Sequence, residues 1–401
     1  MSEDRVPVGR GLLAPVTASP PSGLIDENDP RRAEIRSWLD DHPNPSGTEL
    51  AHAGLVAPQW PPPWGRGADV TYQLLIDDEL NRAGVRRPVN PIGIGWAGPT
   101  LLYAGTPEQH ERWLPRLLNG EELWCQLFSE PDAGSDLAAL STSARLDGDE
   151  WVITGQKVWT SYAHLATWGI LLARTATEGA AQRGISYFVC PMRAPGVTIR
   201  PLVDITGDHA FNEVFLDEVR LPADYLVGAV NDGWRLAKVT LANERVSLSG
   251  EGALWGRGPT ADDLVAYVRD HDVAHDDLDR DALVRCWVHG EILRYLRLRL
   301  LSAAVAGREP GPEASVRKAL ADDHGQEVMG LAHDLAGAAG QLVGRGPGGE
   351  DGEDGEDGVS WYFGFLYAQA LTIGGGTSSV QRNIIAERVL GLAKDLQPAS
   401  A

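Results

Sequence analysis

The sequence predicts an α+β chain in which helices give way to a strand-rich segment and then return. Apolar residues recur at helical spacing up to about residue 120 and again from about residue 231, whereas 121–230 holds short β-rich runs separated by tight turns. No helical stretch separates those runs, which points to a compact sandwich or barrel rather than a parallel sheet. The chain therefore divides into a helical domain 1–120, a β-domain 121–230 and a helical domain 231–401.

In the first domain, "GTPEQHERWLPRLLNGE" carries the signals of a helix. Thr106 can N-cap it, Pro107 suits the first helical position and Gln109 completes a capping box. Trp113, Leu114, Leu117 and Leu118 recur at helical spacing, and Gly120 stops the run. The proline-rich stretch 57–67 reads as a loop between helices. In the β-domain, "ARLDGDEWVITGQKVWTS" gives two strands around an Asp-Gly turn, and "WGILLART", "ISYFVCPM", "VTIRPL" and "NEVFLDEVRLP" continue the pattern. From "GWRLAKVTLANERVSLSGEGAL" the helical period lasts to the end, interrupted by "GEDGEDGEDG" (349–358). That acidic repeat lacks EF-hand spacing and reads as a solvated loop.

With 43% hydrophobic and 23% charged residues, the 401-residue chain has the composition of a globular protein with an ample core. Its 56 acidic against 35 basic residues give a net charge of −21, a surface that repels nucleic acid and anionic membranes. The start, "MSEDRVPVGRGLLAP", has no apolar core of a signal peptide, and no apolar run is long enough to span a bilayer. Cys125, Cys190 and Cys286 lie far apart and match no metal spacing or disulfide framework. These features lead us to expect a cytoplasmic protein. His271 and His275 have a helical metal-ligand spacing, but the acidic residues around them favour an exposed segment, and no metal is expected.

Four segments stand out, of which 211–228 has a mainly structural role. In "WCQLFSEPDAGSDLAAL" (124–140), Gly134 and Ser135 read on their own as a turn or a helix cap. In "ITGQKVWTSYA" (153–163), Trp159 on its own suits a hairpin or core aromatic. "FNEVFLDEVRLPADYLVG" (211–228) ends the β-domain, and "LTIGGGTSSVQRNIIAERVLGL" (371–392) runs three glycines into a helix. None of these is a phosphate-binding loop or a dinucleotide fingerprint, so no nicotinamide cofactor is implied.

Together the four segments resemble the acyl-CoA dehydrogenases, flavoenzymes that oxidise acyl thioesters. "SEPDAGSD" matches that family's "TEPxAGSD" almost residue for residue, and "ITGQKVWTS" resembles its "xNGxKxWITN". The resemblance covers roughly residues 90–392, with a weaker match before them. It implies a C-terminal four-helix bundle that carries the base and the subunit contacts, and FAD as cofactor. Phe128 and Ser129 would face the flavin ring, with Gly134 and Ser135 lining the site where cofactor and substrate meet. Trp159 would cover one face of the ring, Ser161 would hydrogen-bond it, and Thr377 and Ser379 would add cofactor contacts. Ser135, Arg245, Gly375 and Gly376 would touch an acyl-CoA substrate. An electron-transfer flavoprotein would reoxidise the flavin, and the chain would assemble as a tetramer, in some bacterial relatives from two kinds of subunit.

Removing the proton beside a thioester carbonyl needs a carboxylate, best held in a dry pocket. Many members of the family place a glutamate before the Gly-Thr pair of the last segment, where this chain has Gly375. A subset, including the isovaleryl and long-chain enzymes, uses a Glu-Arg pair on another helix instead. "TLANERVSL" supplies Glu244 and Arg245 there, a pair that alone would read as a helix ion pair. With the usual base missing, Glu244 is the expected base for forming a trans-2-enoyl-CoA. Glu251, two helical turns on, shares its face and is expected to be solvated.

Two departures concern the adenine half of FAD. The family's Arg-x-x-Phe-Gly segment has no equivalent, and "DLAGAAG" offers Asp334 where glutamine is usual while retaining Gly337 and Gly340. FAD retention would then depend on a partner chain. The alternatives are a non-catalytic or partner-dependent subunit of a heteromer, and an acyl-CoA oxidase or tailoring dehydrogenase of the same fold.

Overall fold

Five helices precede the first strand: α1 (Arg31–Asp41), α2 (Gly47–His52), α3 (Val70–Arg82), α4 (Gly98–Ala104) and α5 (Pro107–Leu118). The computed structural model describes residues 26–247, 252–255, 258–271, 273–274, 276–306, 311–341 and 361–393. Glu251, His275 and the 349–358 repeat lie outside them, as does the side chain of Arg245. The described chain forms two compact units, residues 26–247 and the residues from 252 onward.

α5 is built as its sequence requires. Thr106 and Gln109 form the capping box, and Trp113, Leu114, Leu117 and Leu118 are all buried. Trp113 is the anchor: its ring meets Trp124, Trp168 and Tyr225 edge-on at centroid distances of 6.4, 6.0 and 5.7 Å. Gln109 Nε2 adds hydrogen bonds to the carbonyls of Asp224 and Leu226 at 2.7 and 2.8 Å. The helical segment is thereby locked onto the strands by both apolar area and polar contacts.

Eight strands follow: β1 (Trp124–Leu127), β2 (Ser143–Asp147), β3 (Glu150–Lys157), β4 (Trp168–Arg174), β5 (Ile185–Pro191), β6 (Val197–Leu202), β7 (Phe211–Pro222) and β8 (Leu226–Val227). They make one sheet of order β6-β7-β3-β2-β4-β5-β8, with β1 added parallel to β4. The expected sandwich or barrel is therefore a continuous sheet with two halves. The halves join through a single residue pair, Ser143 and Arg174. The Asp-Gly hairpin between β2 and β3 forms as anticipated, with Gly148 at φ +69°. Gly155 marks a register shift in β3, and a Cβ there would stand 2.4 Å from Thr142 Oγ1. Only glycine lets the two strands close at that point.

α6 (Gly233–Ser247) completes the first unit. The boundary expected at 231 thus precedes a helix that packs with the β-domain. Gly233 permits the contact, since a Cβ would lie 2.6 Å from the Ser186 carbonyl carbon.

The second unit contains α7 (Ala261–His271), α8 (Asp277–Val305), α9 (Ala314–Ala336), α10 (Trp361–Tyr367) and α11 (Ser378–Ile384). α9 is its hub, packing against α8, α10 and α11. Val284, Trp287, Val288, Ile292 and Tyr295 recur at helical spacing along α8 and are 40–61% exposed, an apolar stripe uncovered among the described residues of this unit. No helix among the described residues is long and apolar enough to cross a membrane.

One buried ion pair joins β3 to the segment leaving β1. Lys157 Nζ lies 2.8 Å from Glu130 Oε1 and donates to the Phe128 carbonyl at 3.1 Å. Glu130 also accepts from the N–H groups of Ser141 and Thr142 at 2.7 and 2.9 Å. Burial alone would raise the Glu130 pKa, but the Lys157 charge and the hydrogen bonds from Lys157, Thr142 and Ser141 outweigh it and hold it at about 2. Lys157 → Met leaves the buried carboxylate without its cation and is expected to cost about 3–5 kcal/mol in urea unfolding. A carboxyl depressed from 4.5 to about 2 contributes stability above pH 4.5 and loses it as pH falls toward 2. Glu130→Gln should therefore flatten the pH dependence of unfolding across that window.

Candidate active site

The two β-domain motifs meet directly. The Val158 N–H donates to the Ser129 carbonyl at 2.9 Å, one residue beyond the Lys157 pair. The chain then turns through two left-handed residues, Trp159 at φ +57° and Tyr162 at φ +55°. Non-glycine residues in that region cost on the order of 1–3 kcal/mol each and persist only where the surroundings hold them. Here the holding groups are visible. Thr160 N–H donates to the Asn212 carbonyl at 3.0 Å, Tyr162 N–H to the Ala210 carbonyl at 2.7 Å, and buried Asn212 returns its amide to the Thr160 carbonyl at 3.0 Å.

The result presents Trp159 outward, 60% exposed and edge-on to Phe211 at 5.9 Å. Ser129 and Ser161 are half-buried, while Gly134 and Ser135 are exposed. A Cβ on Gly134 would meet nothing within 4 Å, so no contact inside the protein demands glycine there. Thr160 Oγ1 and Gln126 Oε1 are buried and have no hydrogen-bond partner among the described residues. An open indole, nearby hydroxyls, an uncrowded glycine and two unsatisfied buried oxygens fit a flat, hydrogen-bonding ring such as isoalloxazine. Sequence reasoning did not single out Thr160 or Gln126, because an unmet hydrogen bond has no signature before folding.

Phe128 is placed differently from expectation. Its ring is 2% exposed and packs edge-on to Tyr187 at 6.0 Å, so it faces the core rather than an open ring site. Its neighbour at the strand end takes the outward direction, as the alternation of side chains requires.

Glu244 sits on α6 as a buried carboxylate, 7% exposed. One turn earlier, Thr240 Oγ1 bonds Tyr187 Oη at 3.1 Å and Thr100 Oγ1 at 2.8 Å. The contacts thus run from Phe128 through Tyr187 to Thr240, on the helical face that Glu244 shares. The first unit contains the Trp159 platform, Ser129, Gly134, Ser135, Ser161 and Glu244.

The remaining candidates lie in the second unit. Gly375 and Gly376 adopt φ +64° and +93°. Their loop is held by its carbonyls: Lys318 Nζ donates to those of Leu371, Gly374 and Gly376 at 3.2, 2.8 and 3.0 Å. Gln381 Nε2 reaches the carbonyls of Gly375 and Gly376 at 3.3 and 3.2 Å. Asp322 pairs with Lys318 at 2.6 Å, and burial pushes its carboxyl up to about 6 against the lowering effect of that lysine. Thr377 is the N-cap of α11, its hydroxyl accepting from the Val380 N–H at 3.3 Å, and Ser379 is exposed. Asp334 is exposed near the end of α9, where Gly337 turns the chain at φ +54°.

Known proteins resemble this chain in sequence and in fold. The N-terminal, middle and C-terminal domain models of acyl-CoA dehydrogenase match residues 24–121, 125–219 and 231–390. Acyl-CoA dehydrogenase FadE34 of Mycobacterium tuberculosis is 46% identical over 86% of this chain, which spans 46% of that relative's length. Acyl-CoA dehydrogenase IpdE1 of the same organism is 43% identical over 90% of this chain and 89% of its own. Among solved structures, the Tcur3481-Tcur3483 steroid ACAD aligns with a TM-score of 0.73 and 30% identity, covering 92% of this chain and 100% of that one. The chain belongs to the acyl-CoA dehydrogenase family, flavoprotein oxidoreductases that work with FAD.

Proposed function

We propose that this chain dehydrogenates an acyl-CoA to a trans-2-enoyl-CoA with Glu244 as the base. The observation that carries the reading is a carboxylate 7% exposed, on the α6 face that packs through Thr240 and Tyr187 toward the Ser129 segment. Bound FAD supplies the hydride acceptor for the β-carbon. The chain's own part is to hold and to deprotonate. Trp159 covers one ring face, Ser161 and Ser129 orient the ring, and Gly134 and Ser135 leave room where the acyl group approaches. Glu244 takes the α-proton. In a dry setting a carboxylate lacks the hydration that would stabilise its charge, which makes it a stronger base than in water. Gly375 and Gly376 are proposed to serve the thioester, with Thr377 and Ser379 as further cofactor contacts and Arg245 as a substrate contact.

The electrons pass, in this proposal, to an electron-transfer flavoprotein. Two observations support assembly with a second family chain. The apolar stripe on α8 needs cover, and the Tcur3481-Tcur3483 steroid ACAD to which this chain is similar bears a paired name. The steroid ACAD relative favours a bulky, ring-containing acyl group over a simple fatty chain.

Stopped-flow bleaching of the flavin with an acyl-CoA panel tests the base. Glu244→Gln should retain FAD and bind acyl-CoA, yet lose ~10²–10⁴-fold in the reduction rate. Reduction at the wild-type rate would remove Glu244 from the mechanism and favour a base from a partner chain. Gly134→Ala separates ligand space from folding. Because its Cβ meets no protein atom, thermal stability should hold within about 0.5 kcal/mol. Flavin retention or acyl-CoA affinity should fall, as measured by flavin content and titration.

A further inference from the structure

The packed pair α8 and α9 brings together four side chains that the proposed reaction does not use: Cys286, His289, His324 and Glu327. Cys286 and His289 stand three residues apart on α8, and His324 and Glu327 three apart on α9, so each pair shares a helical face. Cys286 is fully buried and His324 is 8% exposed. One donor atom from each of Cys286, His324 and Glu327 lies within 4.8 Å of the others. Glu327 Oε2 is 3.3 Å from His324 Nδ1 and 2.8 Å from His289 Nδ1. Gly290 leaves space beside the second imidazole, since a Cβ there would sit 3.3 Å from His324 Nε2.

We propose that Cys286, His289, His324 and Glu327 form a binding site for a divalent transition metal of the zinc type, joining α8 to α9. One sulfur, two imidazoles and a carboxylate are the donors of a closed tetrahedral zinc site. Metal–donor bonds of about 2.0–2.3 Å put tetrahedral donors roughly 3.3–3.8 Å apart. The 4.8 Å spread of Cys286, His324 and Glu327 closes by about an ångström through side-chain torsions, and His289, held 2.8 Å from Glu327, turns inward as the fourth donor. Calcium and magnesium are disfavoured, because they take oxygen donors. Binding exchanges the Cys286 S–H proton for a metal–sulfur bond and releases that proton to solvent. The half-exposed His289 is the outermost donor and marks the way in. Without a metal, the same two histidines share one carboxylate oxygen, a purely hydrogen-bonded arrangement that the experiment must distinguish.

The holoenzyme is stripped with a chelator, given zinc, passed through gel filtration and assayed for zinc by elemental analysis. One zinc per chain is expected, with a rise in Tm. In chelator competition, Cys286→Ser and His289→Ala should each weaken zinc binding by at least about 10–100-fold. The His289 position is half exposed, so that variant remains informative even if the buried Cys286 substitution fails to fold. Cobalt in place of zinc should add a sulfur-to-cobalt band to the difference spectrum that Cys286→Ser removes. His333→Ala, elsewhere on α9, should leave binding unchanged. Zinc no higher than in the stripped control, undiminished binding in His289→Ala, or an equal loss in His333→Ala would each overturn the site.

Discussion

The first unit turns on a constraint at Lys157. A fully buried ammonium costs several kcal/mol in lost hydration, and it is tolerated only where charge and hydrogen bonds replace the water. Glu130 and the Phe128 carbonyl do so, and both belong to the segment that leaves β1. The lysine therefore fixes the distance between two stretches of chain that no ladder of strand hydrogen bonds connects. Everything distinctive about the site begins one residue later, with the Val158 bond to Ser129 and the left-handed turn at Trp159. Strain at the turn and burial at the lysine are opposing terms in one local balance, so the shape of the ring platform is inseparable from the stability of the sheet.

Much of this was legible in the sequence, for reasons that differ by element. α5 and the Asp-Gly hairpin rest on local signals, a capping box and a turn dipeptide, which act over a few residues and survive any tertiary context. The strands were readable from composition, but the way one sheet divides into halves at a single residue pair was not, since long-range pairing leaves no mark in a local window. The helical period is the same on both sides of residue 247, so it could not tell that α6 packs with the strands preceding it. Glu244 was singled out by family resemblance and by the missing acid at Gly375. Its burial, and its place one turn past the Thr240 hydroxyl, came only with the fold.

Residues that act through others were invisible. Lys318 reads in sequence as one more helical lysine, yet its ammonium collects three carbonyls of a glycine loop more than fifty residues away. Cys286 was set aside because the three cysteines lie far apart, and the histidine three residues after it was not weighed with it. Two of its three companions, His324 and Glu327, come from the next helix, and helix packing alone decides which residues of α8 and α9 face each other.

The Lys318 cradle has a consequence for substitution at position 375. Lys318 and Gln381 hold the loop from outside by its carbonyls, so its shape owes nothing to a side chain at position 375. Gly375 stands at φ +64°, a conformation that penalises any side chain with a Cβ. A glutamate placed there would carry its own backbone cost, so adding a carboxylate at this position asks for a side chain and a backbone change together.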